Sequence, residues 1–460
     1  MKKKFLITLL ILQLNLAAYA QTLSSPLFKD GDIVCWIGDS ITNNGQFYNY
    51  VYLYYATRFP NDRLWFYNCG ISGDVSGGVL KRMDSDVLIH KPNWSVLMIG
   101  MNDVKRNLYT IAAKADPDLP QKWAQAMAKY KEDSEAIVKI LAAKSKVILQ
   151  KPSIFDQTAA IKAENAIGVN EALKFGGDHM QDLSMIYKTK LVDYWSIMKQ
   201  VNRSVQKVDS TATIIGPDRI HPGPAGHFVM AYQFLKETGA PKFVSKIVVD
   251  KGVKTSRGKS INCKIESQKV DNRSVEFTCL EYSLPFPVWD DAVKALSWVP
   301  FTDELNKEIL QVVDLSAGYY KLSIDSILVG KYTAAQLKEG INLATEKQTP
   351  QYQQAIRVMD LCLLYRKTEG LLRSLKFVEY NHLGELKNLN DTTEIRQLLA
   401  VNLEKLKNSG HYDYYKSQFN GYLTNKPKQP ATESKLLSIQ TQIYTTNKPT
   451  KHVFKLIKDD

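Results

Sequence analysis

Residues 31 to about 240 predict an α/β fold in which a parallel sheet is covered by helices on both faces. Two observations support this prediction. Short apolar runs alternate with longer amphipathic stretches, as expected for successive strand–helix units. The runs are apolar enough to be strands buried on both faces, which is typical of parallel sheets.

The elements of this first unit follow from the apolar pattern in chain order. Five strands are predicted in "DIVCWIG", "LWFYNCG", "WSVLMIG", "SKVILQKP" and "TKLVDYW". Helices are predicted over 43–57, 75–90, 120–143 and 159–176, and a last helix in "PAGHFVMAYQFLKETG" ends at Gly239.

The pattern changes after about residue 243. Strand-like pieces between 244 and 335 predict a small β-rich unit, and amphipathic stretches between 351 and 445 predict helices. "NKPKQPATESK" is interpreted as a linker before one more helix. We therefore divide the chain into residues 21–242, 243–345 and 346–460. We expect the C-terminal helices to pack against the first unit, and a surface for a partner is the alternative.

The first twenty residues have the pattern of a secretory signal peptide. Three lysines precede an apolar run, and Ala18-Tyr19-Ala20 fits a small-x-small cleavage site. Export to the periplasm or the extracellular space is therefore expected, with a mature chain from about Gln21. The run is too short for a membrane span, and no later segment approaches one.

Charge and cysteines restrict the partners. The formal net charge is +13, and +10 remains without the three leader lysines. This balance favours an anionic partner such as an acidic polysaccharide, but no motif or dense basic tract indicates nucleic acid. Five cysteines leave at least one unpaired, and none forms a zinc motif. Cys263 and Cys279 lie in neighbouring strand-like runs, where a disulfide or two free thiols are both consistent with the sequence.

Ser40, in "CWIGDSITNNG", follows the first predicted strand and precedes a helix. Ligands bind outside the carboxyl ends of parallel strands, where a helix N-terminus offers free N–H groups to an oxyanion. Ser40 is thus either a nucleophile or a helix cap. The motif is not the nucleophile elbow G-x-S-x-G, because position 42 is Thr. If Ser40 reacts, Thr42, Asn43 or Asn44 is left to cap the helix.

Polar groups also follow the second and third strands. Gly70 ends "YNCG", and the N–H of a glycine donates readily to developing negative charge. Asn102 and Asp103 follow "MIG", and an Asn amide is a suitable oxyanion donor. Each residue alone is as consistent with an ordinary turn.

The segment "IIGPDRIHPGPAGH" places Asp218 three residues before His221 on a turn between prolines. This spacing lets the carboxylate reach the imidazole, as a serine hydrolase base requires. His227 falls within the following helix, where a packing or surface role suits it better.

Together these blocks resemble the SGNH/GDSL hydrolase family. The matching residues are "GDS" at 38–40, Gly70, "GMND" at 100–103 and "DRIH" at 218–221, with Ile41 where the family often has Leu. The resemblance implies a three-layer α/β/α, flavodoxin-like fold over about residues 31–240. It also implies Ser40 as the nucleophile, His221 as the base and Asp218 as its orienting acid. The implied oxyanion donors are Ser40 N–H, Gly70 N–H and the Asn102 amide, with no metal or organic cofactor.

The expected activity is ester hydrolysis. Exported members of this family with long C-terminal extensions often resemble carbohydrate esterases, so acetyl or methyl esters of a polysaccharide or oligosaccharide are the expected substrates. A lipase, lysophospholipase or thioesterase is the alternative on the same machinery, and an inactive glycan-binding protein is the alternative of another class. The aromatic stripe Phe47, Tyr50, Tyr54 and Tyr55 is interpreted either as core or as a wall that stacks on sugar.

Overall fold

A computed structural model of the chain describes residues 25–252, 260–386, 388–389 and 391–459. The predicted signal peptide over residues 1–20 and its cleavage site lie outside the described residues. Among the described helices, none combines the length and apolar character needed to cross a bilayer.

The first unit contains a five-stranded sheet with strand order β2-β1-β3-β4-β5. All neighbouring strands pair in parallel, which confirms the predicted α/β class, and this order is that of flavodoxin-like folds. The strands are β1 (Ile33–Gly38), β2 (Trp65–Gly70), β3 (Trp94–Met98), β4 (Lys146–Lys151) and β5 (Lys190–Asp193).

Helices cover both faces of this sheet and bury two separate apolar cores. One core contains Trp36 and Tyr50, and the other contains Ile37 and Ile137. The helices are α1 (Ser40–Asn44), α2 (Gln46–Arg58), α3 (Ser76–Lys81), α4 (Leu119–Lys144), α5 (Val169–Ile186), α6 (Tyr194–Gln206) and α7 (Pro224–Glu237). A π-helical turn (Met83–Val87) and short 3-10 turns (Leu88–His90, Arg106–Tyr109, Ala112–Ala115) complete the unit.

Two predicted helices have different bounds in the structure. The helix predicted over 43–57 is two helices, since Gly45 between them has a left-handed φ of 76°, which ends the first. The helix predicted over 159–176 begins only at Val169. Backbone carbonyls of the preceding loop accept hydrogen bonds from the Arg219 side chain instead of from helical N–H groups.

The β-rich unit consists of two sheets that share an apolar core. A five-stranded sheet has the order β11-β10-β13-β8-β7, and a three-stranded sheet has the order β12-β9-β6. Strand β13 comes from the far C-terminal region, where the sequence predicted helices. The strands are β6 (Phe243–Asp250), β7 (Cys263–Val270), β8 (Ser274–Glu281), β9 (Lys307–Val313), β10 (Tyr319–Ile324), β11 (Ile327–Thr333), β12 (Ile341–Asn342) and β13 (Lys451–Asp459).

The C-terminal helices pack on the first unit, as expected from their amphipathic pattern. The longest, α10 (Pro350–His382), packs along α2, where Asn49 donates to the Cys362 carbonyl at 3.0 Å. The other helices are α8 (Phe301–Leu305), α9 (Ala334–Glu339), α11 (Thr392–Lys405), α12 (Tyr412–Asn425) and α13 (Gln429–Thr446), with 3-10 turns at Asp290–Ser297 and Lys426–Lys428.

The linker predicted at "NKPKQPATESK" is wrong, because most of this stretch is helical. Pro427 and Pro430 both lie in the first turn of their helical segments. A proline is tolerated there because the first N–H groups of a helix have no intrahelical acceptor.

Candidate active site

Ser40 is the first residue of α1 at the carboxyl end of β1. Asp39 adopts an extended conformation and caps the helix, since its Oδ1 accepts from Ile41 N–H at 3.0 Å. Residues 42–44 therefore do not cap α1, although Asn44 Oδ1 accepts from Gln46 N–H, the first of α2, at 3.2 Å. Gly38 is required by close packing, because a Cβ there would lie 2.3 Å from the Met98 carbonyl oxygen. The turn thus presents Ser40 at the edge of the sheet.

The structure brings Ser40, His221 and Asp218 together, as the sequence predicted. Ser40 Oγ lies 2.7 Å from His221 Nε2, and His221 Nδ1 lies 2.5 Å from Asp218 Oδ2. With its proton on Nδ1, the imidazole donates to Asp218 and its Nε2 can accept the serine proton. The side chains of His221 and Asp218 are 46% and 47% exposed, so this pair is open to substrate and water.

Asp218 is set up to remain ionised. Partial burial raises the pKa of Asp218. Hydrogen bonds from the His221 ring and from the backbone N–H groups of His221 and Ile220 lower it by more, so the net pKa lies well below its usual range. Its Oδ1 accepts from both backbone N–H groups at 3.0 Å. The carboxylate is thereby held in place to orient the imidazole.

Arg219, between these two residues, anchors the turn that carries them and was not singled out from the sequence. Its backbone has a left-handed φ of 67°, which is unfavourable for a residue with a Cβ. Its guanidinium, almost fully buried, donates at 2.9–3.0 Å to four carbonyl oxygens of one loop. The acceptors belong to Asp156, Ala159, Ile161 and Ala163. These bonds tie the turn to the sheet edge and offset the strain.

Two of the three predicted oxyanion donors are available. Among the described hydrogen bonds, the N–H of Ser40 has no acceptor, as expected at the start of a helix. Asn102 Nδ2 donates to the Asp74 carbonyl at 2.9 Å, and its Oδ1 accepts from Arg106 at 2.9 Å. These contacts fix the amide and leave its second N–H for a substrate.

Gly70 does not fit the donor role predicted for it. Its N–H donates to Asn68 Oδ1 at 2.9 Å, and a Cβ at this position would lie 2.3 Å from Asn43 N. The glycine is therefore needed for the packing of α1 on β2. Gly73, three residues on, has a φ of 78°, faces open space, and its N–H has no acceptor among the described bonds. The second glycine of "CGISGD" was the signal for this better donor.

A buried charged network supports the oxyanion side and includes a residue of the C-terminal helix α10. Arg373 donates to the Gly70 carbonyl at 3.0 Å and to both oxygens of Asp86, at 2.7 and 2.9 Å. Arg82 also contacts Asp86 and pairs with Asp74 at 2.8 Å. Because the Asp74 carbonyl holds Asn102, the network reaches both sides of the predicted oxyanion hole. No local sequence pattern revealed Arg373.

The acidic and imidazole groups nearby have structural roles. Asp103 accepts from the Ser76 N–H and hydroxyl at 2.8 and 2.5 Å. Burial raises the pKa of Asp39 to about 7 and lowers the pKa of His227 to about 3. His227 is buried and its ring is parallel to Phe47, with centroids 6.2 Å apart, so the packing role expected for it is observed.

The aromatic stripe after Ser40 is core. Phe47, Tyr50, Tyr54 and Tyr55 are all buried, with exposure of 2% or less, which leaves no free ring face for a sugar.

Cys263 and Cys279 are free thiols on the paired strands β7 and β8. The disulfide considered for them is therefore absent from the structure.

This arrangement suits acyl transfer. An activated serine, an imidazole base with an oriented tautomer, and N–H donors converge at one edge of the sheet. An ester carbonyl placed against Ser40 Oγ would have its developing oxyanion directed towards the Ser40 N–H and the Asn102 amide.

Comparison with known proteins agrees with this geometry. Residues 36–228 match the GDSL-like lipase/acylhydrolase family. The chain is similar to a solved structure of a gut microbial diltiazem-metabolizing enzyme, with 28% sequence identity and a TM-score of 0.84. The alignment includes 95% of this chain and 100% of the chain of that enzyme. The likeness therefore includes the β-rich and helical regions.

Acetylxylan esterase from Geobacillus stearothermophilus is 25% identical over 224 residues, which is 45% of this chain and 94% of that enzyme. A crystal structure of an acetylxylan esterase from the same organism covers 46% of this chain and 96% of that chain, with 24% identity and a TM-score of 0.37.

Proposed function

We propose that this protein removes O-acetyl groups from a carbohydrate. The chain belongs, through residues 36–228, to the GDSL-like lipase/acylhydrolase family and is a carboxylic ester hydrolase. The observation that carries the chemistry is the Ser40–His221–Asp218 chain of contacts, at 2.7 and 2.5 Å. Methyl esters are a second substrate class on the same machinery.

The reaction proceeds in two halves. His221 Nε2 takes the proton of Ser40 as Oγ attacks the ester carbonyl, and Asp218 stabilises the imidazolium. The tetrahedral oxyanion is held by the Ser40 N–H, the Gly73 N–H and the Asn102 amide. The imidazolium gives its proton to the ester oxygen of the sugar as the C–O bond to the acyl carbon breaks, so that the sugar leaves with a free hydroxyl. Water, activated by His221, then hydrolyses the acyl-enzyme and releases acetate.

The relatives support an acetyl ester on an alcohol as the substrate. Acetylxylan, named for one relative, is a polysaccharide that carries O-acetyl esters. Diltiazem, named for the other, is a drug that also carries an O-acetyl ester. The two compounds share little else, so the acetyl group is the common element. The half-exposed His221 and Asp218 are consistent with a bulky alcohol that stays partly in solvent.

The first test is Ser40→Ala with p-nitrophenyl acetate. Loss of the nucleophile should reduce kcat by roughly 10⁴-fold or more, while the melting temperature stays close to that of the wild type. Serine-directed phosphonate labelling should occur in the wild type only. Near-wild-type turnover by the variant would refute the assignment, and absence of labelling in the wild type would favour an inactive glycan-binding protein.

The second test identifies the acyl group and the alcohol. Acetate and methanol are measured after incubation with acetylated xylan and methylated pectin, beside a p-nitrophenyl ester series of increasing chain length. Acetate release from the glycan and preference for the shortest acyl chain are expected. Preference for long chains together with inert glycans would establish the lipase or thioesterase alternative instead.

Export is part of the proposal, because residues 1–20 have the pattern of a signal peptide. Cell fractionation should find the protein outside the cytoplasm, and N-terminal sequencing should begin near Gln21. A cytoplasmic protein that retains Met1 would overturn this part alone.

A further inference from the structure

A cavity of about 280 Å³ lies where the catalytic domain meets two segments outside the matched family region. Ligand pockets usually span about 300–1,000 Å³, so this cavity has room for one ring-sized group. It is lined by Gln46 of α2, by Trp289, Asp290 and Asp291 of the turn before α8, and by Leu363 and Arg366 of α10.

The cavity is a close neighbour of the nucleophile. Arg366 Nη1 donates to the Asn44 carbonyl at 2.9 Å, and Asn44 is the last residue of the helix that Ser40 begins. With a rise of about 1.5 Å per residue, the two ends of α1 are roughly 6 Å apart along its axis. The Arg366 wall of the cavity is therefore anchored roughly 6 Å along α1 from the residue that carries the nucleophile.

One wall of the cavity is apolar. Trp289 is only partly exposed and its Nε1 is buried without a hydrogen-bond partner, so the indole contributes carbon surface to the wall. Its ring is held by Tyr50, with centroids 4.6 Å apart, and Leu363 extends the apolar wall. Such a surface suits the C–H face of a sugar ring, since carbohydrate faces are apolar and their edges are polar.

The other walls carry donors and acceptors that do not satisfy one another. Asp290 and Asp291 are exposed and make no ion pair among the described residues. Arg366 uses Nη1 for Asn44, and its Nη2 has no acceptor among the described bonds. Gln46 donates from Nε2 to Tyr50 at 3.2 Å, which leaves its Oε1 to accept. Sugar hydroxyls both donate and accept, so neighbouring hydroxyls can satisfy both kinds of group.

We propose that this cavity is a subsite for a neutral sugar residue linked to the esterified one. Two carboxylates and one guanidinium in the lining disfavour a uronic acid, so at this subsite the proposal departs from the expectation of an acidic glycan. The inference rests on the proposed carbohydrate esterase function, and it assigns the regions beyond residue 228 a part in substrate choice.

The test compares a double variant, Asp290→Ala/Asp291→Ala, with the matched control Asp303→Ala, which removes an exposed carboxylate outside the cavity. The ratio of kcat/KM for an acetylated xylo-oligosaccharide to kcat/KM for p-nitrophenyl acetate should fall at least tenfold in the double variant only. An unchanged ratio would overturn the subsite. Gln46→Ala should lower the same ratio by a smaller factor.

Direct binding separates this inference from the proposed function. Calorimetry with Ser40→Ala protein uses unacetylated xylotriose and trigalacturonic acid as probes. Binding of xylotriose that is lost when Asp290 and Asp291 are also replaced supports the subsite even if the wild type releases no acetate. No binding of xylotriose, or tighter binding of trigalacturonic acid, would overturn the assignment to a neutral sugar.

Discussion

The two sides of the active site are held in different ways. On the base side, Asp218 and His221 are half exposed, and their turn is anchored by Arg219 to a loop of the same domain. On the oxyanion side, both ends of the segment from Gly70 to Asp74 are held by a buried charged network that includes Arg373 of α10. The Arg219 hydrogen bonds that hold the base side thus stay within the catalytic domain, whereas the oxyanion side also receives hydrogen bonds from the C-terminal helix α10.

This difference separates two effects on catalysis. A change on the base side should alter proton transfer without involving the C-terminal region. A change in Arg373 should leave the triad distances intact and weaken the stabilisation of the transition state. The predictions below test this separation, in order of decreasing effect.

Asp218→Asn should have the largest effect, since the neutral amide no longer selects the imidazole tautomer with its proton on Nδ1. A loss of about 10⁴-fold in kcat is expected, measured with p-nitrophenyl acetate. The melting temperature should change little because the residue is half exposed. A loss below tenfold would show that Asp218 is not the orienting acid.

Arg373→Met should reduce kcat by roughly 10²–10³-fold, the cost of losing one oxyanion donor, although the residue lies outside the matched family domain. The variant also leaves Asp86 with only Arg82, so activity must be measured below its lowered melting temperature. Lys376→Met, one turn further along the helix and paired with Glu379, is the control. A folded Arg373→Met enzyme with normal kcat and raised KM would contradict the assigned role.

Arg219→Ala should lower kcat by about tenfold to a hundredfold, because four charge-assisted hydrogen bonds that hold the catalytic turn are lost. Arg219→Gly loses the same bonds but adopts the left-handed conformation without strain. It should therefore be more stable than the alanine variant by about 1 kcal/mol in urea unfolding. Equal stability of the two variants would argue that the turn relaxes when Arg219 is removed.

A second buried carboxylate group lies at the junction with the β-rich unit and contrasts with the fully paired Asp86. Glu308 is buried, and no described group donates a hydrogen bond to its oxygens, while the adjacent Glu281 accepts from Gln351 at 2.8 Å. Burial, and then the proximity of Glu281, raise the pKa of Glu308 well above its usual value. The carboxyl is therefore held in the protonated form.

Glu308→Gln should have the smallest effect, and the effect should depend on pH. The pKa of Glu308 is higher in the folded protein than in the unfolded chain. Its contribution to the free energy of unfolding is therefore complete below the unfolded pKa, near 4.5, and is lost as pH rises towards the folded pKa. Gln cannot ionise, so the variant should be more stable than the wild type at pH 8, on the order of 1–2 kcal/mol, and equal near pH 4.5. Thermal unfolding of the variant and the wild type between these two pH values checks the direction of the stability difference. Glu404→Gln, at an exposed position, is the control.

Much of the base side could be predicted from sequence because it is local. Asp218 and His221 are three residues apart, and Ser40 directly follows its strand, so short-range spacing identified all three. The parallel sheet followed from apolar runs for the same reason. Gly70 was assigned the donor role because it ends the strand, and only the Asn68 hydrogen bond showed that its N–H is occupied.

What could not be predicted depends on contacts between distant residues. Arg373 is 303 residues from the Gly70 carbonyl that it holds, and nothing in the sequence of α10 indicates that contact. The late start of α5 depends on Arg219, more than fifty residues away. The strand β13 was missed because its partners, β8 and β10, are separated from it by the long helices.

The position of β13 has a consequence for how the protein is made. This strand comes last among the described elements, yet it lies in the middle of its sheet, between β10 and β8. Until it is added, both neighbours expose unpaired backbone edges beside apolar side chains such as Phe277 and Leu322. Translation that ended shortly before residue 451 would yield a chain that contains Ser40, Asp218 and His221 but leaves the facing edges of β8 and β10 unpaired. Because unpaired strand edges promote aggregation, we expect such a product to aggregate or to be degraded before it acts on substrate.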